Sequence, residues 1–329
     1  MMNSDIKLGI VGTNFVSDWF ADSVAASEGI ECAAVYSRKT ETGSAFAEKH
    51  GIPSVFTDYG RFLSSGIDAV YIASPNACHF RQAEEALRRG LHAIVEKPAT
   101  TTEEEFNALT KTADENGVVL LEAMRPVHDP VIKAIREQLG SLGQLRRAVL
   151  EFCQYSSRYD RFKKGEIMNA FDPSLGNAAV MDIGVYAIET AVMLFGKPES
   201  VRSSSYLLSN GMEGMGTAVL GYGYFDTEIV YSKIHDSVTP SYITGENGSV
   251  IIGKISTGEN VSVKMRGECA VALMPERSDL DPTYNMKYEI SDFVKAVRGE
   301  IAADEYREYT RVTLAVIDEI RRQSGIEFK

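Results

Sequence analysis

From Ile6 to Glu122 the chain alternates short apolar segments with helical stretches, and this alternation constrains its fold more than any other feature. Strands that alternate with helices of about 10 to 15 residues form βαβ units, in which the strands pair in parallel. The strands are nearly continuous apolar runs, which indicates helices on both faces of the sheet. The predicted strands are Ile6–Val11, Cys32–Tyr36, Ala69–Ala73, His92–Val95 and Val118–Glu122, and the predicted helices are Phe15–Ala26, Glu41–His50, His79–Arg89 and Glu103–Asn116.

After Ala123 the pattern changes: a helix is predicted at Pro130–Leu139, and most segments C-terminal to it suit strands. Strands clustered apart from helices indicate an α+β domain with a large, mainly antiparallel sheet. Because 329 residues exceed what one core usually holds, we expect a Rossmann domain with a doubly wound parallel sheet over residues 1–123 and a substrate-binding and oligomerisation domain over residues 124–329. Its predicted strands are Leu145–Tyr155, Ser200–Leu207, Thr217–Phe225, Glu228–Ile234, Ser241–Thr244, Ser249–Ile252 and Val261–Met265, with a hairpin turn at 246–248 and helices at Met181–Phe195, Ile290–Val297 and Tyr306–Gln323.

The composition argues against several classes of protein. A net charge of −12 is the opposite of the basic patch that nucleic-acid binding requires. The four cysteines, Cys32, Cys78, Cys153 and Cys269, form no CxxC pair, which predicts reduced thiols, a cytoplasmic protein and no bound metal. The N-terminus lacks an apolar signal segment and no apolar run reaches about 18 residues, so we expect neither secretion nor a membrane span.

The segment Gly9–Ser17 lies between the first strand and the first helix, where a glycine-rich phosphate-binding turn belongs. Read from Gly12, the second and third glycines of GxGxxG are replaced by Asn14 and Ser17. Asn tolerates left-handed backbone, and Ser is small enough for close helix packing. A dinucleotide site is predicted here, with a plain βα turn of a flavodoxin-like domain as the alternative. The predicted cofactor contacts are Gly9, Gly12, Thr13, Asn14, Phe15 and Val16.

The second strand ends in Tyr36-Ser37-Arg38-Lys39. NAD-selective sites usually carry Asp or Glu at this place, where it binds the ribose hydroxyls. A hydroxyl and two cations suit a 2′-phosphate instead, so we expect Ser37 and Arg38 to favour NADP over NAD. The alternative is a solvated basic loop.

A second turn, Ser74-Pro75-Asn76, follows a strand at the carboxyl edge of the same sheet, where cofactors bind in this architecture. Ser74, Pro75, Asn76 and His79 are therefore predicted to lie near the cofactor. Asn76 is alternatively a helix N-cap. For His79 a non-catalytic role is favoured, since a helix N-terminus disfavours its charged form.

Two constellations carry residues suited to proton transfer. Glu96-Lys97-Pro98 ends another strand of the sheet, and a partly desolvated lysine exchanges protons near neutrality or stabilises an alkoxide. Asp182 and Tyr186 stand four residues apart on a predicted helix and so share one face. The alternatives are a solvated lysine, an N-capping Asp182 and a core tyrosine.

In combination, Gly9–Ser17, Tyr36–Lys39, Ala73–His79, Glu96–Pro98 and Met181–Tyr186 resemble the glucose–fructose oxidoreductase and inositol dehydrogenase family, Gfo/Idh/MocA, along essentially the whole chain. The resemblance implies an NAD(P)-dependent oxidoreductase acting on a sugar, polyol or cyclic diol. It implies that Lys97 is the main catalytic residue, that the Lys97–Pro98 bond is cis, and that Asp182 orients or polarises the substrate. Tyr186 stands where many relatives have His, which resembles the glucose–fructose oxidoreductase and dihydrodiol dehydrogenase branches rather than inositol dehydrogenases.

The predicted function is hydride transfer between a nicotinamide and a carbinol carbon, with Lys97 and Tyr186 managing the hydroxyl proton and Asp182 holding a small-molecule substrate. A nicotinamide-dependent glycosidase and a non-catalytic NADP-binding sugar sensor are the alternatives. Glu122, Arg125 and Arg158 are further candidates for substrate contact. A homodimer or homotetramer is expected through the C-terminal sheet, with Tyr222, Tyr224 and Tyr231 either furnishing that surface or packing inward.

Overall fold

A computed structural model describes residues 5–275 and 282–328 of the chain, with side chains left undescribed at 282–285. The described residues within Met1–Thr100, Glu104–Arg125 and Asp281–Glu308 form one compact unit. Those within Thr101–Glu103, Pro126–Leu280 and Tyr309–Lys329 form a second unit. The chain passes from the first unit to the second between Arg125 and Pro126, and residues 282–308 return to the first unit.

The described residues form these elements: β1 Ile6–Val11, α1 Phe15–Ala25, β2 Ile30–Tyr36, α2 Thr40–His50, β3 Ser54–Phe56, α3 Tyr59–Leu63, β4 Ala69–Ile72, α4 Asn76–Arg88, β5 His92–Glu96, α5 Glu103–Asn116, β6 Leu120–Ala123, α6 Arg125–His128, α7 Pro130–Gln138, β7 Leu145–Cys153, α8 Tyr159–Lys163, α9 Val185–Phe195, β8 Ser200–Leu207, β9 Glu213–Gly221, β10 Asp226–Ser232, β11 Ser241–Gly245, β12 Gly248–Ile252, β13 Ser262–Met265, β14 Val271–Ala272, α10 Pro282–Val297 and α11 Asp304–Ser324. Short 3₁₀ turns lie at Leu139–Leu142, Asn169–Phe171 and Pro173–Leu175, and a π turn at Val180–Gly184 precedes α9.

The sheet of the first unit is parallel throughout its described strands, in the order β3-β2-β1-β4-β5-β6. This is the strand order of the doubly wound Rossmann fold. From β1 the strands are added toward one edge as β2 and β3 and toward the other edge as β4, β5 and β6, so the switch point of the topology lies between β1 and β4. Leu8 and Ile10 of β1, Val70 of β4 and Ile94 of β5 are fully buried, as expected for strands covered on both faces. The predicted fold class of this unit is confirmed.

Helix α10 belongs to the first unit because its apolar face packs on α1. Ile290 and Phe293 are fully buried in one core cluster with Phe20 and Val24 of α1. The helix begins at Pro282, eight residues before its predicted start. Sequence patterning predicted a helix at Ile290–Val297 but had no means of assigning it to a partner distant in the sequence.

The sheet of the second unit has the order β14-β13-β12-β11-β7-β10-β9-β8 among its described strands. The pair β7 and β10 is parallel, and the other pairs are antiparallel, which confirms the predicted mixed, mainly antiparallel sheet. Helix α9 packs on β7 and β10, where Leu150 and Ile229 are fully buried. The hairpin predicted at 246–248 connects β11 and β12.

Several predicted bounds were wrong in this half. The strand predicted at Thr217–Phe225 is β9, Glu213–Gly221, because Gly223 has a φ of +77° and residues 222–225 form the turn to β10. Tyr222 and Tyr231 pack inward, at 6% and 0% exposure, and Tyr224 alone of the three tyrosines is exposed.

In the first unit, β3 and α3 were not predicted, since three and five residues are too short to show a period. In the parts of the chain that the structure describes, no helix is long and apolar enough to span a membrane.

Candidate functional site

The turn after β1 is shaped around Gly12. Its φ is +107°, and a Cβ at this position would lie 2.7 Å from the Ala73 carbonyl oxygen. Glycine is therefore required both by the backbone conformation and by the close approach of the turn after β4. Gly9, by contrast, lies inside β1, where a Cβ would lie 2.5 Å from the Phe62 ring. Its small size allows packing against α3, so the structure gives Gly9 a packing role.

Asn14 replaces a glycine by capping the helix. Its Oδ1 accepts from the N–H groups of Val16 at 2.9 Å and Ser17 at 3.1 Å, and its Nδ2 donates to the Ala73 carbonyl at 2.8 Å. Its φ of −90° and ψ of 176° are extended, so the expected left-handed tolerance is not used. Ser17 is fully buried, in keeping with a small residue at the third glycine position. Thr13 is half-buried, and Phe15 is exposed at the start of α1.

At the carboxyl end of β2, Ser37 and Arg38 have different surroundings. Ser37 is buried and its hydroxyl pairs with Thr42 Oγ1 at 2.7 Å. Arg38 and Lys39 are exposed. Two exposed cations with no carboxylate on the same loop suit an anionic group, whereas the Ser37 hydroxyl is engaged in shaping the loop.

His79 joins the turn after β4 to the loop after β5. The ring is 1% exposed, and its Nε2 and Nδ1 lie 2.8 Å and 2.9 Å from the carbonyl oxygens of Ser74 and Pro98. Burial lowers the pKa of this imidazole, against the raising effect of the two carbonyls. A neutral ring carries one N–H, so one contact is a hydrogen bond in the neutral form. Asn76 is the first residue of α4, so the alternative that it is the N-cap was wrong; Pro75 is at that position.

Lys97 follows β5 and is half-buried, and its peptide bond to Pro98 is cis, as the resemblance implied. The preceding Glu96 is 9% exposed. Tyr71 of β4, fully buried and stacked on Phe20, donates a 2.6 Å hydrogen bond to Glu96 Oε1. Burial raises the pKa of Glu96, while Tyr71, Lys97 and Arg125 act in the opposite direction.

Two more carboxyl groups, those of Glu122 and Glu289, are buried and interact with the Glu96–Ala99 segment. Glu122 of β6 is 3% exposed and accepts from the Ala99 N–H at 2.6 Å. Glu289 of α10 is fully buried, and neither of its oxygens has a hydrogen-bond partner among the described residues. Burial raises the pKa of Glu289 well above its usual range; Glu96 and Glu122 raise it too, and Arg125 lowers it. Glu96, Glu122, Arg125 and Glu289 therefore form one group of interacting charged side chains, the Glu96 cluster.

Sequence reasoning missed Tyr71 and Glu289. A signal for Glu289 existed, because its spacing from Met286 and Phe293 places it on the apolar face of α10. Tyr71 lies within a strand of continuous apolar residues and carried no such signal.

In the second unit, Asp182 lies within the π turn Val180–Gly184 and Tyr186 follows in the first turn of α9. Gly184 is at the N-cap position of α9, so the alternative that Asp182 caps the helix was wrong. Tyr186 is 7% exposed, and its ring meets Phe152 edge-to-face at 5.4 Å. Asp182 Oδ2 pairs with the buried Lys233 at 2.8 Å, a partner that sequence reasoning missed. Single π-helical turns are frequent at functional sites, which fits the position of Asp182.

Arg158 is half-buried and occupies the residue before α8. Around it, Tyr155 and Tyr159 pack edge-to-face at 5.6 Å, and Lys163 donates to the Tyr155 hydroxyl at 2.8 Å. The segment from Tyr155 to Lys163 thus combines aromatic rings with three cations, Arg158, Arg161 and Lys163, of which Lys163 also pairs with Asp160 at 2.7 Å. No group of three metal-ligating side chains occurs in the described parts of the chain.

The Gly12 turn fits a dinucleotide, because its backbone approaches the neighbouring turn closely and a helix N-terminus follows at the switch point of the sheet. The fold and this turn define a dinucleotide-binding Rossmann domain. Residues 6–124 match the model of the Gfo/Idh/MocA oxidoreductase family with its NAD-binding Rossmann fold, and residues 133–250 match the C-terminal domain of the same family. The chain belongs to this family, which confirms the resemblance.

Relatives extend over the whole chain. The chain is 39% identical over 98% of its length, and 98% of the relative's, to a scyllo-inositol 2-dehydrogenase (NADP(+)) of Bacillus subtilis. It is 26% identical to a trans-1,2-dihydrobenzene-1,2-diol dehydrogenase of Mus musculus, over 76% of this chain and 73% of that one. A 3-ketoreductase from Actinomadura kijaniata, solved with NADP and TDP-benzene, has the same fold, with a TM-score of 0.83 at 21% identity over 98% of both chains. Named relatives thus include both an inositol dehydrogenase and a dihydrodiol dehydrogenase.

Proposed function

We propose that the chain is an NADP(H)-dependent dehydrogenase or reductase acting on a hydroxyl-bearing carbon of a sugar, polyol or cyclic diol. When bound, the nicotinamide supplies the redox step by exchanging a hydride with that carbon. The observation that carries the proposal is Lys97 at the carboxyl edge of the sheet that also holds the Gly12 and Ser74 turns. His79, Glu96 and the Glu122 contact with Ala99 hold the loop that carries it.

The proton on the reacting oxygen needs its own carrier. When a carbinol becomes a carbonyl, the carbon gives up a hydride and the oxygen gives up a proton, which Lys97 accepts in its neutral form and returns in the reverse direction. The Tyr186 hydroxyl serves as a relay for this proton, and Asp182 accepts a hydrogen bond from a substrate hydroxyl. Glu122, Arg125 and Arg158 remain candidates for substrate contact.

A preference for NADP is proposed on Arg38. The loop after β2 offers exposed cations and no carboxylate, and the inositol dehydrogenase relative is named for NADP(+). Because the Ser37 hydroxyl pairs with Thr42, Arg38 carries most of the expected discrimination. Arg38→Ala is expected to weaken NADPH binding about 10- to 100-fold, the value of one charged hydrogen-bonded contact, and to leave NADH binding unchanged. Arg61→Ala, at an exposed arginine of α3, is the control.

The proposed cofactor contacts comprise three groups of residues. The turn after β1 contributes Gly12, Thr13, Asn14, Phe15 and Val16; the other two groups are Ser37 and Arg38, and then Ser74, Pro75, Asn76, His79, Glu96 and Lys97. Isothermal titration of variants at these residues with NADP(H) and NAD(H) measures what each residue contributes to cofactor affinity, independently of any substrate.

The test of the function is a spectrophotometric panel of inositols, aldoses, polyols and cyclic diols with both cofactors, run on Lys97→Ala and on Lys111→Ala as an exposed control. Lys97→Ala is expected to lose at least about 100-fold in turnover, as for removal of a proton-transfer group. Normal turnover of an identified substrate by Lys97→Ala would overturn the role of Lys97. Glycoside cleavage without net change in NADPH, or tight NADPH binding with no turnover across the panel, would replace the proposal by the glycosidase or the sensor.

We also propose a homodimer or homotetramer formed through the face of the second sheet opposite α9. Val149, Tyr242 and Ile251 are cross-strand neighbours on that face, and Val230 lies on it too. Val230→Glu is expected to lower the mass measured by light scattering, whereas a monomeric wild type would overturn the proposal.

A cytoplasmic location is proposed from the four free cysteines, which suit a reducing compartment.

A further inference from the structure

A buried lysine stands beneath the carboxylate of Asp182. Lys233 follows β10, and its side chain is 3% exposed, whereas that of Asp182 is 36% exposed. Lys233 Nζ lies 2.8 Å from Asp182 Oδ2, donates to the Ala170 carbonyl at 2.7 Å and sits 5.1 Å from the centre of the Phe171 ring. A buried ammonium is costly unless it is paired and hydrogen-bonded, and here a carboxylate, a carbonyl and an aromatic face meet that need.

The backbone that carries Asp182 is held by a buried carboxyl group. Glu213 of β9 accepts from the Val180 N–H at 2.7 Å through Oε2, and from Tyr231 at 2.9 Å and Ser205 at 2.5 Å through Oε1. Gly184 closes the π turn against the Tyr231 ring, where a Cβ would lie 2.9 Å from the ring carbon. The start of the turn and its end are therefore both fixed on the sheet, and Lys233 fixes the side chain between them.

We propose that Lys233 is a positioning residue: its buried ammonium holds the Asp182 carboxylate in one orientation and cancels its charge, so that Asp182 presents an acceptor to an uncharged substrate hydroxyl. The inference rests on the proposed function for the role of Asp182 but not for the pairing itself. A carboxylate neutralised from behind accepts a hydrogen bond without attracting a cation, which favours neutral polyhydroxy compounds over amines. An acceptor held in one rotamer is also pre-organised, which lowers the cost of orienting the substrate.

The first test reads the pairing without any substrate. Carbon-13 NMR of protein labelled at aspartate carboxyls follows the titration of Asp182, identified by its loss in Asp182→Asn. Lys233→Met keeps the aliphatic stem and removes the charge. Its Asp182 midpoint is expected to rise by about one pH unit or more, since an opposite charge at this distance lowers a carboxyl pKa by that amount. An unchanged midpoint in Lys233→Met would overturn the proposal.

The second test reads catalysis on the substrate that the panel identifies. Lys233→Met is expected to lose about 10-fold or more in kcat/KM and to move the acid limb of its pH profile upward by about one unit, while NADPH binding stays at the wild-type value. Lys264→Met, at an exposed lysine of β13, is the matched control. If Lys233→Met does not fold, Lys233→Gln keeps a donor for the Ala170 carbonyl and removes only the charge.

The outcomes separate the two proposals. If the Asp182 midpoint rises in Lys233→Met but the wild-type protein turns over no member of the panel, the proposed function is overturned and the pairing of Lys233 with Asp182 is supported. A reduced melting temperature with an unshifted midpoint and an unshifted acid limb shows that Lys233 only stabilises the fold, which overturns its role toward Asp182.

Discussion

His79 Nδ1 lies 2.9 Å from the carbonyl oxygen of Pro98, the residue that follows Lys97. Through its other nitrogen the same ring contacts Ser74, so one buried side chain ties together two loops at the carboxyl edge of the parallel sheet. Its role is to position the loop of Lys97, and the expectation of a non-catalytic His79 stays in keeping with this geometry.

His79→Phe is expected to fill the same space and lose both contacts. The free energy of unfolding should fall by about 1–3 kcal/mol, because one carbonyl loses its N–H donor, and turnover should fall as the Lys97 loop loosens. Chemical denaturation and kcat on the identified substrate measure the two effects. His92→Phe is the control at the opposite end of β5, where His92 Nδ1 accepts from the Val119 N–H at 2.9 Å. Equal losses of kcat in both variants would contradict the positioning role.

Asn14 separates helix capping from cofactor binding. Asn14→Ala removes the cap and should lower stability by about 1 kcal/mol or more. Asn14→Asp keeps an oxygen for the Val16 and Ser17 N–H groups but adds a negative charge where the pyrophosphate is proposed to bind. It is expected to keep most of the stability and to weaken NADPH binding about 10-fold, as measured by calorimetry. Wild-type affinity in Asn14→Asp would place the pyrophosphate elsewhere.

Tyr71 supports Glu96 from within the core. Tyr71→Phe keeps the stack on Phe20, whose ring centre lies 3.6 Å away, and removes only the hydroxyl that donates to Glu96. We expect a loss of about 1–3 kcal/mol in unfolding free energy, since a buried carboxyl oxygen loses its donor. A double-mutant cycle with Glu96→Met, which removes the acceptor, measures the coupling. Full additivity of the two substitutions would show that the hydrogen bond contributes nothing.

Glu289 makes stability depend on pH. Its pKa is raised by burial in the folded chain, so its favourable contribution is complete below the ordinary glutamate pKa of about 4.3 and is lost as pH rises through the raised value. Glu289→Gln, which resembles the protonated form, should therefore gain melting temperature relative to the wild type as pH increases. The exposed Glu300→Gln is the control. If the difference in melting temperature between Glu289→Gln and the wild type stays constant from pH 4 to pH 9, Glu289 is ionised over that whole range. That result would contradict a pKa raised by burial and by Glu96 and Glu122.

The local pattern of the chain was enough for most of the first unit. Continuous apolar runs and helical periods located the strands β1, β2, β4, β5 and β6, and the order of strand, turn and helix located Gly12 despite the missing glycines. The cis bond before Pro98 came from the resemblance and not from any local period. The strand-rich second half was assigned to the right fold class. The bounds of β9 differ from the predicted ones by four residues, because the chain turns at Gly223, within the predicted strand.

What the sequence determined by itself is therefore what depends on neighbours along the chain: the alternation of elements, the helix faces and the turns that require glycine. Only the tertiary structure decided which charged groups meet inside. Glu289 reaches the Glu96 cluster from α10, and Lys233 reaches Asp182 from the end of β10, across separations of 193 and 51 residues that no period spans. Burial then sets the ionisation of such groups, because the cost of a charge depends on all the atoms around it rather than on its position in the chain.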